Sequence, residues 1–478
     1  LSRWGAPGAG LALALALGAP REASANGAFP SSGQVLVDPS DPQRIWVRTS
    51  YGFAKTIDGG ESFQLVCEDG VGYSFGFHPH AALSATGAIF MGLSDGLAIG
   101  RGDTCAFQRA PELEGSYIVD VSMGPDGRAI VVAVPPNGGQ AQVFASTDDL
   151  ATWQALGAPL PEGMSPFTLD AAPSDPDVLY VSGTLGNPQP LGVLLSSSDA
   201  GSTWQTVVVP NSDAEVAPFI GGVDPALPGR LYVRLTGIPG RLLLSEDFGQ
   251  TFTPIAQTEI GRMAAFRLAP DGASAIFGGN FDGLHRLDTA TFATEPLAPI
   301  TARCVTFDGE RVFACGEEAP DGFTAGVSTD GGATFAPLLR AACIEGIVPC
   351  DAGAPVFDQC EPSWPTIAQL IGATGECDAA GAGGAGGAPQ QAGGAPASGG
   401  AATAGGAGAG GDATGGGGGA TGGSDGCSCG AGPSSTPTTT FGLGSFLALA
   451  VSLGIRASAR DARLFSRGPW RSKTRTRC

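Results

Sequence analysis

The chain has 478 residues, room for about two to four domains on length alone, and carries a formal net charge of −20. That acidic balance excludes the basic stripe with which nucleic-acid binders displace phosphate counterions. Its 77 glycines, many in one late stretch, mean that only part of the chain builds a core.

In chain order, Arg3, the apolar run "GLALALALGA" and "ASA" at Ala23 to Ala25 predict an export leader over residues 1–25. The apolar run is too short for a permanent transmembrane helix. Four strands follow: "QVLVDP", "RIWVRTS", "YGFAKT" and "SFQLVCE", rich in β-branched and aromatic residues and bounded by Gly, Pro, Asn and Asp. The octet "TIDGGESF" lies between the third and fourth. It returns as "STDDLATW" from Ser146, "SSDAGSTW" from Ser197, "SEDFGQTF" from Ser245 and "STDGGATF" from Ser328, and in shortened form as "RGDTCAF" from Arg101 and "RLDTATF" from Arg286.

The central aspartates, Asp58, Asp103, Asp148, Asp199, Asp247, Asp288 and Asp330, stand 41 to 51 residues apart. That is the period of one four-stranded propeller blade. The expected fold is therefore all-β, a seven-bladed β-propeller with four-stranded antiparallel blades over residues 26–340. In each octet the Asp is expected to accept backbone N–H bonds that a tight turn leaves open. The Gly two residues on takes a positive φ, and the Trp or Phe packs between blades. A chain needs one active site but many turns, so seven copies read as folding devices. "RGD" at Arg101 is by the same logic a worn copy of the repeat and not an adhesion sequence. Whether a strand near "FPSSGQ" completes the last blade is open.

The octet resembles the Asp-box, or BNR repeat, of sialidases, sortilin-type receptors, some β-glucan hydrolases and a photosystem assembly factor. The resemblance covers most of residues 30–340 and implies turns between third and fourth strands at the periphery, away from the ligand mouth. It is specific for fold and nearly silent on activity. Leu150 stands where the family has Gly.

Export places the cysteines in an oxidising compartment, and eight of the eleven lie between Cys67 and Cys377. The preferred pair is Cys304 with Cys315, flanking an Asp-Gly turn; Cys360 with Cys377, Cys343 with Cys350, and Cys67 with Cys105 follow. Residues 341–377 read as a cysteine-stapled cap over an edge of the last blade, with one short helix in "PTIAQLIGA". Residues 378–426, mostly Gly and Ala, read as a disordered tether.

Residues 427–478 hold Cys427 and Cys429, the apolar run Phe441 to Ile455 and an arginine-rich end. This order predicts a transmembrane segment with a cytoplasmic basic tail. It resembles the MYXO-CTERM tail of myxobacterial surface proteins, which implies processing or lipid anchoring at the Cys pair. A single-pass anchor that is never cleaved is the alternative, as is a disulfide between Cys427 and Cys429.

No cofactor or metal is expected, because His78, His80 and His285 are not clustered with cysteines. A sialidase would need an Arg triad and a Tyr nucleophile, and the Phe-Arg-Ile-Pro pattern is absent from the sequence. A glucan hydrolase would need facing carboxylates and stacking aromatics, and Trp153 and Trp204 are taken by octets. The expectation is a non-catalytic, monomeric binding or interaction module at the cell surface, held to the membrane by its tail and taking an unknown protein or glycan; the alternative is a glycan-active hydrolase. Candidate ligand residues lie on the loops entering the inner strands: Glu112, Glu114, Tyr117, Glu162, Asp213, Glu215, Glu259, Arg262 and Arg303.

Overall fold

In a computed structural model, which describes residues 30–74 and 76–375, seven four-stranded antiparallel blades succeed one another in chain order among the described residues. Blade one comprises Ser32–Asp38, Asp41–Thr49, Gly52–Thr56 and Phe63–Val66. The inner strands of the next six are Ala81–Leu83, Tyr117–Met123, Met164–Ala172, Pro218–Val223, Ala265–Leu268 and Cys304–Asp308. Middle strands such as Ile89–Leu93 and Gly96–Gly100 are buried at every position. A blade packs on both faces against neighbours, so its middle strands read as continuous apolar runs instead of alternating. The outer strand Gln205–Asp213 is mostly exposed and correspondingly polar.

The core is a set of clusters at the seams between blades. Ile130, Val132 and Val143 of blade three, for example, pack with Leu169, Val181 and Leu195 of blade four. The octet aromatics join these seams: Phe63 and Trp153 are buried, and Trp204, Phe252 and Phe335 are partly buried against clusters shared with the preceding blade.

The ring closes without strand exchange. All four strands of blade seven come from Cys304–Leu339. The segment near "FPSSGQ" opens blade one and meets blade seven through a Ser31–Glu317 bridge and a Ser32 hydroxyl that donates to the Thr324 carbonyl at 2.5 Å, while Val35 and Val47 share a core cluster with Phe313, Cys315 and Ala325 of blade seven. That packed seam is reinforced from outside. After blade seven the chain turns through Ala341–Cys343 and forms the strand Ile344–Ile347, which adds in parallel to the outer strand of blade one, Ile344 opposite Phe63 and Ile347 opposite Leu65. Two helices, Pro355–Cys360 and Trp364–Ile371, follow. The cap thus covers the edge of the first blade, not the last, and has two helices where one was expected.

Disulfides fix that arrangement and correct three expected pairs. Cys67 bonds Cys360, not Cys105, and Cys105 bonds Cys350, which rules out Cys343 with Cys350 and Cys360 with Cys377. Cys343 is disulfide-bonded as well. Pairing by short spacing fails here because the returning cap brings residues 293 and 245 positions apart to Cα distances of 5.5 Å. Cys304–Cys315 forms as expected, since the hairpin register sets the two residues opposite each other.

Among the described residues no helix is long and apolar enough to cross a membrane. The leader, Cys377, the tether, Cys427, Cys429 and the apolar run from 441 to 455 lie outside the described residues.

Candidate functional site

The seven acidic turns come first, because their chemistry sets the standard for judging other carboxylates. In each full octet the leading hydroxyl donates to Asp Oδ1, at 2.6 Å from Thr56 to Asp58 and 2.7 Å from Ser197 to Asp199. The residue four after the Asp donates its amide to Oδ1 and its hydroxyl to Oδ2, as Ser62 does to Asp58 at 3.0 and 2.6 Å and Thr203 to Asp199 at 2.8 and 2.7 Å. Asp148, Asp247 and Asp330 repeat the pattern. Leu150 keeps the turn by taking φ 67°, with its side chain buried and its amide bonded to Ser146 Oγ at 3.0 Å.

The shortened copies are simpler. Asp103 accepts the Cys105 amide at 3.0 Å, and Asp288 accepts the Thr291 amide and hydroxyl at 2.7 and 2.8 Å. Arg101, the first residue of "RGD", is tied to Asp149 at 3.0 Å. Donors that favour the charged form lower a carboxyl pKa. The Thr152 hydroxyl and amide with the Ser146 hydroxyl hold Asp148 at about 2. For Asp58 burial works upward, but the Ser62 and Thr56 hydroxyls and two amides outweigh it and leave the group at about 2. The aspartates of the five full octets are well-supplied acceptors at the rim of the ring.

A cavity of about 690 Å³ runs along the axis, lined by the inner strands of blades one to six, and reaches the prolines Pro39, Pro173, Pro225 and Pro270 that begin the turns to the second strands. One tier of its wall consists of staples between blades. The Gln34 amide donates to the Ala81 carbonyl at 2.7 Å and accepts the Ala81 amide at 3.3 Å. Asp120 accepts the Leu169 amide at 2.9 Å and the His80 ring at 3.2 Å, and Thr168 Oγ1 accepts the Ile220 amide at 3.0 Å. Each side chain satisfies a backbone group of the next inner strand, which an open channel would otherwise leave unpaired.

Nearer the prolines stand Ser122, Asp170 and Arg267. Asp170 is half-buried and among the described residues accepts only the Ser122 hydroxyl, at 3.2 Å. Burial and the Asp120 charge push it up to about 7, against the opposing pulls of Arg267 and Ser122. Arg234, also on the wall, is spent on the carbonyls of Met263 and Ala264 at 2.9 and 3.0 Å and lies over the Phe219 ring. Its burial lowers it to about 10.

None of the nine residues expected at the mouth lines this cavity. They sit on the loops entering the inner strands, at the opposite face from the acidic turns. Glu112 and Glu114 are exposed on the short turn Pro111–Leu113 and its cap. Tyr117 is 43% exposed and meets Phe77 edge-on. Glu162, Glu215 and Arg262 are exposed, and Asp213 is used to accept the Glu215 and Val216 amides at 2.8 Å. The Glu259 amide bonds Asp282 at 2.6 Å, and Arg303 pairs with Glu317 at 2.8 Å. His78 and His285 also lie outside the cavity, the latter stacked on Phe277 at 5.3 Å. No group of three metal-ligating side chains occurs among the described residues. Sequence reasoning passed over Asp120, Asp170 and Arg267; the available signal was a single charge inside an otherwise apolar inner strand, as in "YIVDVSM", "TLDAA" and "AFRLA".

No family model matches the chain, and no curated protein does. Among solved structures, an ancestral GH74 enzyme is similar at a TM-score of 0.50 and 16% identity, over 65% of this chain and 46% of that one. The chain therefore spans less than half the length of that enzyme. YCF48 from Cyanidioschyzon merolae aligns at 14% identity over 60% of this chain and 94% of its own, TM-score 0.42. A catalytically inactive virginiamycin B lyase variant from Staphylococcus aureus with quinupristin aligns at 15% over 61% and 94%, TM-score 0.41. At such identities the likeness is one of architecture, and the chain is a seven-bladed β-propeller.

Proposed function

We propose that this propeller is an exported binding module, built on Asp-box turns of the BNR type, that takes its ligand in the central channel and performs no chemistry on it. The observation that carries this reading is the contrast within the channel wall. Asp120 and Arg234 spend their polar atoms on neighbouring blades, whereas Asp170 and Arg267 face the cavity with bonding capacity left over. Pockets of this size with a few convergent polar groups are the usual form of a ligand site. The three disulfides between described residues, with Cys343 bonded as well, suit an oxidising compartment. The tail from Cys427 to Cys478, with its MYXO-CTERM-like order, is the proposed surface anchor.

Gly222 lines the same cavity, and a Cβ placed there meets only Leu268 Cδ1, at 3.5 Å. Gly222→Phe should therefore plug the channel while leaving the fold intact. A small-molecule and glycan screen by calorimetry is expected to find ligands whose binding the plug abolishes. Binding that survives in a folded plugged variant sinks the reading.

A second reading, a glycan-active hydrolase, is favoured by one observation. Asp170 is raised by burial and then by the neighbouring Asp120 charge, as the carboxyl of a general acid is. Against it, Asp120 is locked by the Leu169 and Val121 amides. Polysaccharide turnover lost in Asp170→Asn would decide for hydrolysis.

A further inference from the structure

We propose, building on the channel reading above, that the ligand is a small zwitterion of the amino-acid type, its ammonium group on Asp170 and its carboxylate on Arg267.

Five ionisable side chains line the cavity: His80, Asp120, Asp170, Arg234 and Arg267. Three are committed to the protein, as the staples and the Arg234 carbonyl bonds show. Asp170 receives one hydroxyl, and the Arg267 guanidinium, exposed in the channel, donates no hydrogen bond among the described residues. The two feel each other's charge without forming a direct ion pair. They stand on blades four and six, and blade five between them contributes Gly221 and Gly222 to the wall. The negative and the positive group thus stand on different blades, with blade five and its two glycines between them.

An opposite pair of this kind has one complementary class of ligand. A simple cation satisfies Asp170 and leaves Arg267 facing a positive guest; a simple anion does the reverse; a neutral guest leaves both charges without a partner. An ammonium offers three donors to the carboxylate, and a carboxylate accepts the two-pronged guanidinium fork. The remaining wall includes Leu36, Ile220, Val223 and Leu268, so an aliphatic or amide side chain has an apolar bed.

The groups facing Asp170 are Asp120 and Ser122 on blade three and Arg267 on blade six, with His80 beside Asp120. Only ionised Asp170 holds an ammonium, so affinity is expected to rise as pH increases from about 6 to about 8.

The test is calorimetry on the full chain with L-leucine and L-glutamine, their methyl esters, which keep only the ammonium, and their N-acetyl derivatives, which keep only the carboxylate. The expected result is that each blocked form binds at least about tenfold more weakly than its parent, ~1.4 kcal/mol. Asp170→Asn should abolish the preference over the N-acetyl form, and Arg267→Gln the preference over the ester. Residual binding of the matching half-blocked form shows that each variant is folded, as does an unchanged near-ultraviolet dichroism spectrum. Failure of both amino acids to bind the wild-type chain, or binding indifferent to both substitutions, overturns the zwitterion assignment. If neutral ligands still bind and Gly222→Phe blocks them, the channel reading survives that failure; if the plug blocks nothing, both fall.

Discussion

Asp58 and Asp170 carry the same carboxylate in two settings and behave as opposites. At the rim, Asp58 receives the hydroxyls of Thr56 and Ser62 and the Ser62 amide, and is held at about 2. On the axis, burial and then a neighbouring carboxylate raise Asp170, which receives the Ser122 hydroxyl alone among the described residues, to about 7. The difference is one of burial, which penalises the charged form of Asp170 most, and of donor supply. A carboxylate whose lone pairs are filled by its own turn is part of the scaffold, and one left short of donors inside a cavity is available to a ligand.

This contrast predicts that rim substitutions cost stability and axial ones cost binding. The largest effect belongs to the octet aromatic Trp153, 3% exposed in the seam between blades two and three. Trp153→Ala should lower unfolding free energy in urea by about 3–5 kcal/mol, with ligand affinity unchanged at temperatures where the variant is folded. A matching loss of affinity would dissolve the distinction between rim and axis.

Next in size is the pH response of Asp170→Asn. With the folded-state value raised above the ordinary one of about 3.9, ionisation favours the unfolded chain. The penalty is absent below about pH 4, grows up to about pH 7 and then levels off. The Asn variant should therefore melt about 4 °C above wild type at pH 8 and level with it near pH 4. A constant offset across that range would mean that burial and the Asp120 charge do not raise Asp170.

The smallest effect is at Asp58, where the sign reverses. Its folded-state value lies below the ordinary one, so it contributes stability above about pH 4 that is lost as pH falls through about 2. Asp58→Ala should melt about 2 °C lower than wild type at neutral pH, the gap closing in acid. Thermal scans across pH measure both windows in one experiment.

The rim was readable in the sequence and the axis was not, for a physical reason. Seven turns solve the same local problem, so selection of the same donors and acceptors leaves a visible repeat, and Asp199 and Asp247 announce each other. The channel asks something different of each blade: Gln34, Asp120 and Thr168 staple neighbours with three unlike side chains, and Asp170 and Arg267 have no counterpart elsewhere in the ring. Charged residues within apolar strands are the available trace, whereas the loop residues Glu112 and Arg262, charged as well, stand in solvent. Cysteine pairing divided the same way. Cys304 and Cys315 share a hairpin and were legible, while Cys67–Cys360 and Cys105–Cys350 depend on the path of a cap that no short-range pattern encodes.

The returning cap also decides how the molecule bears tension. A pull applied beyond residue 375 meets the Cys360–Cys67 and Cys350–Cys105 bonds before it can reach the hairpins of blade seven. Load arriving from that end is handed by covalent links to the first two blades, and the last blade, whose outer strand would be the first to peel, is bypassed. A wheel fastened in this manner can be dragged by its downstream end without being unwound.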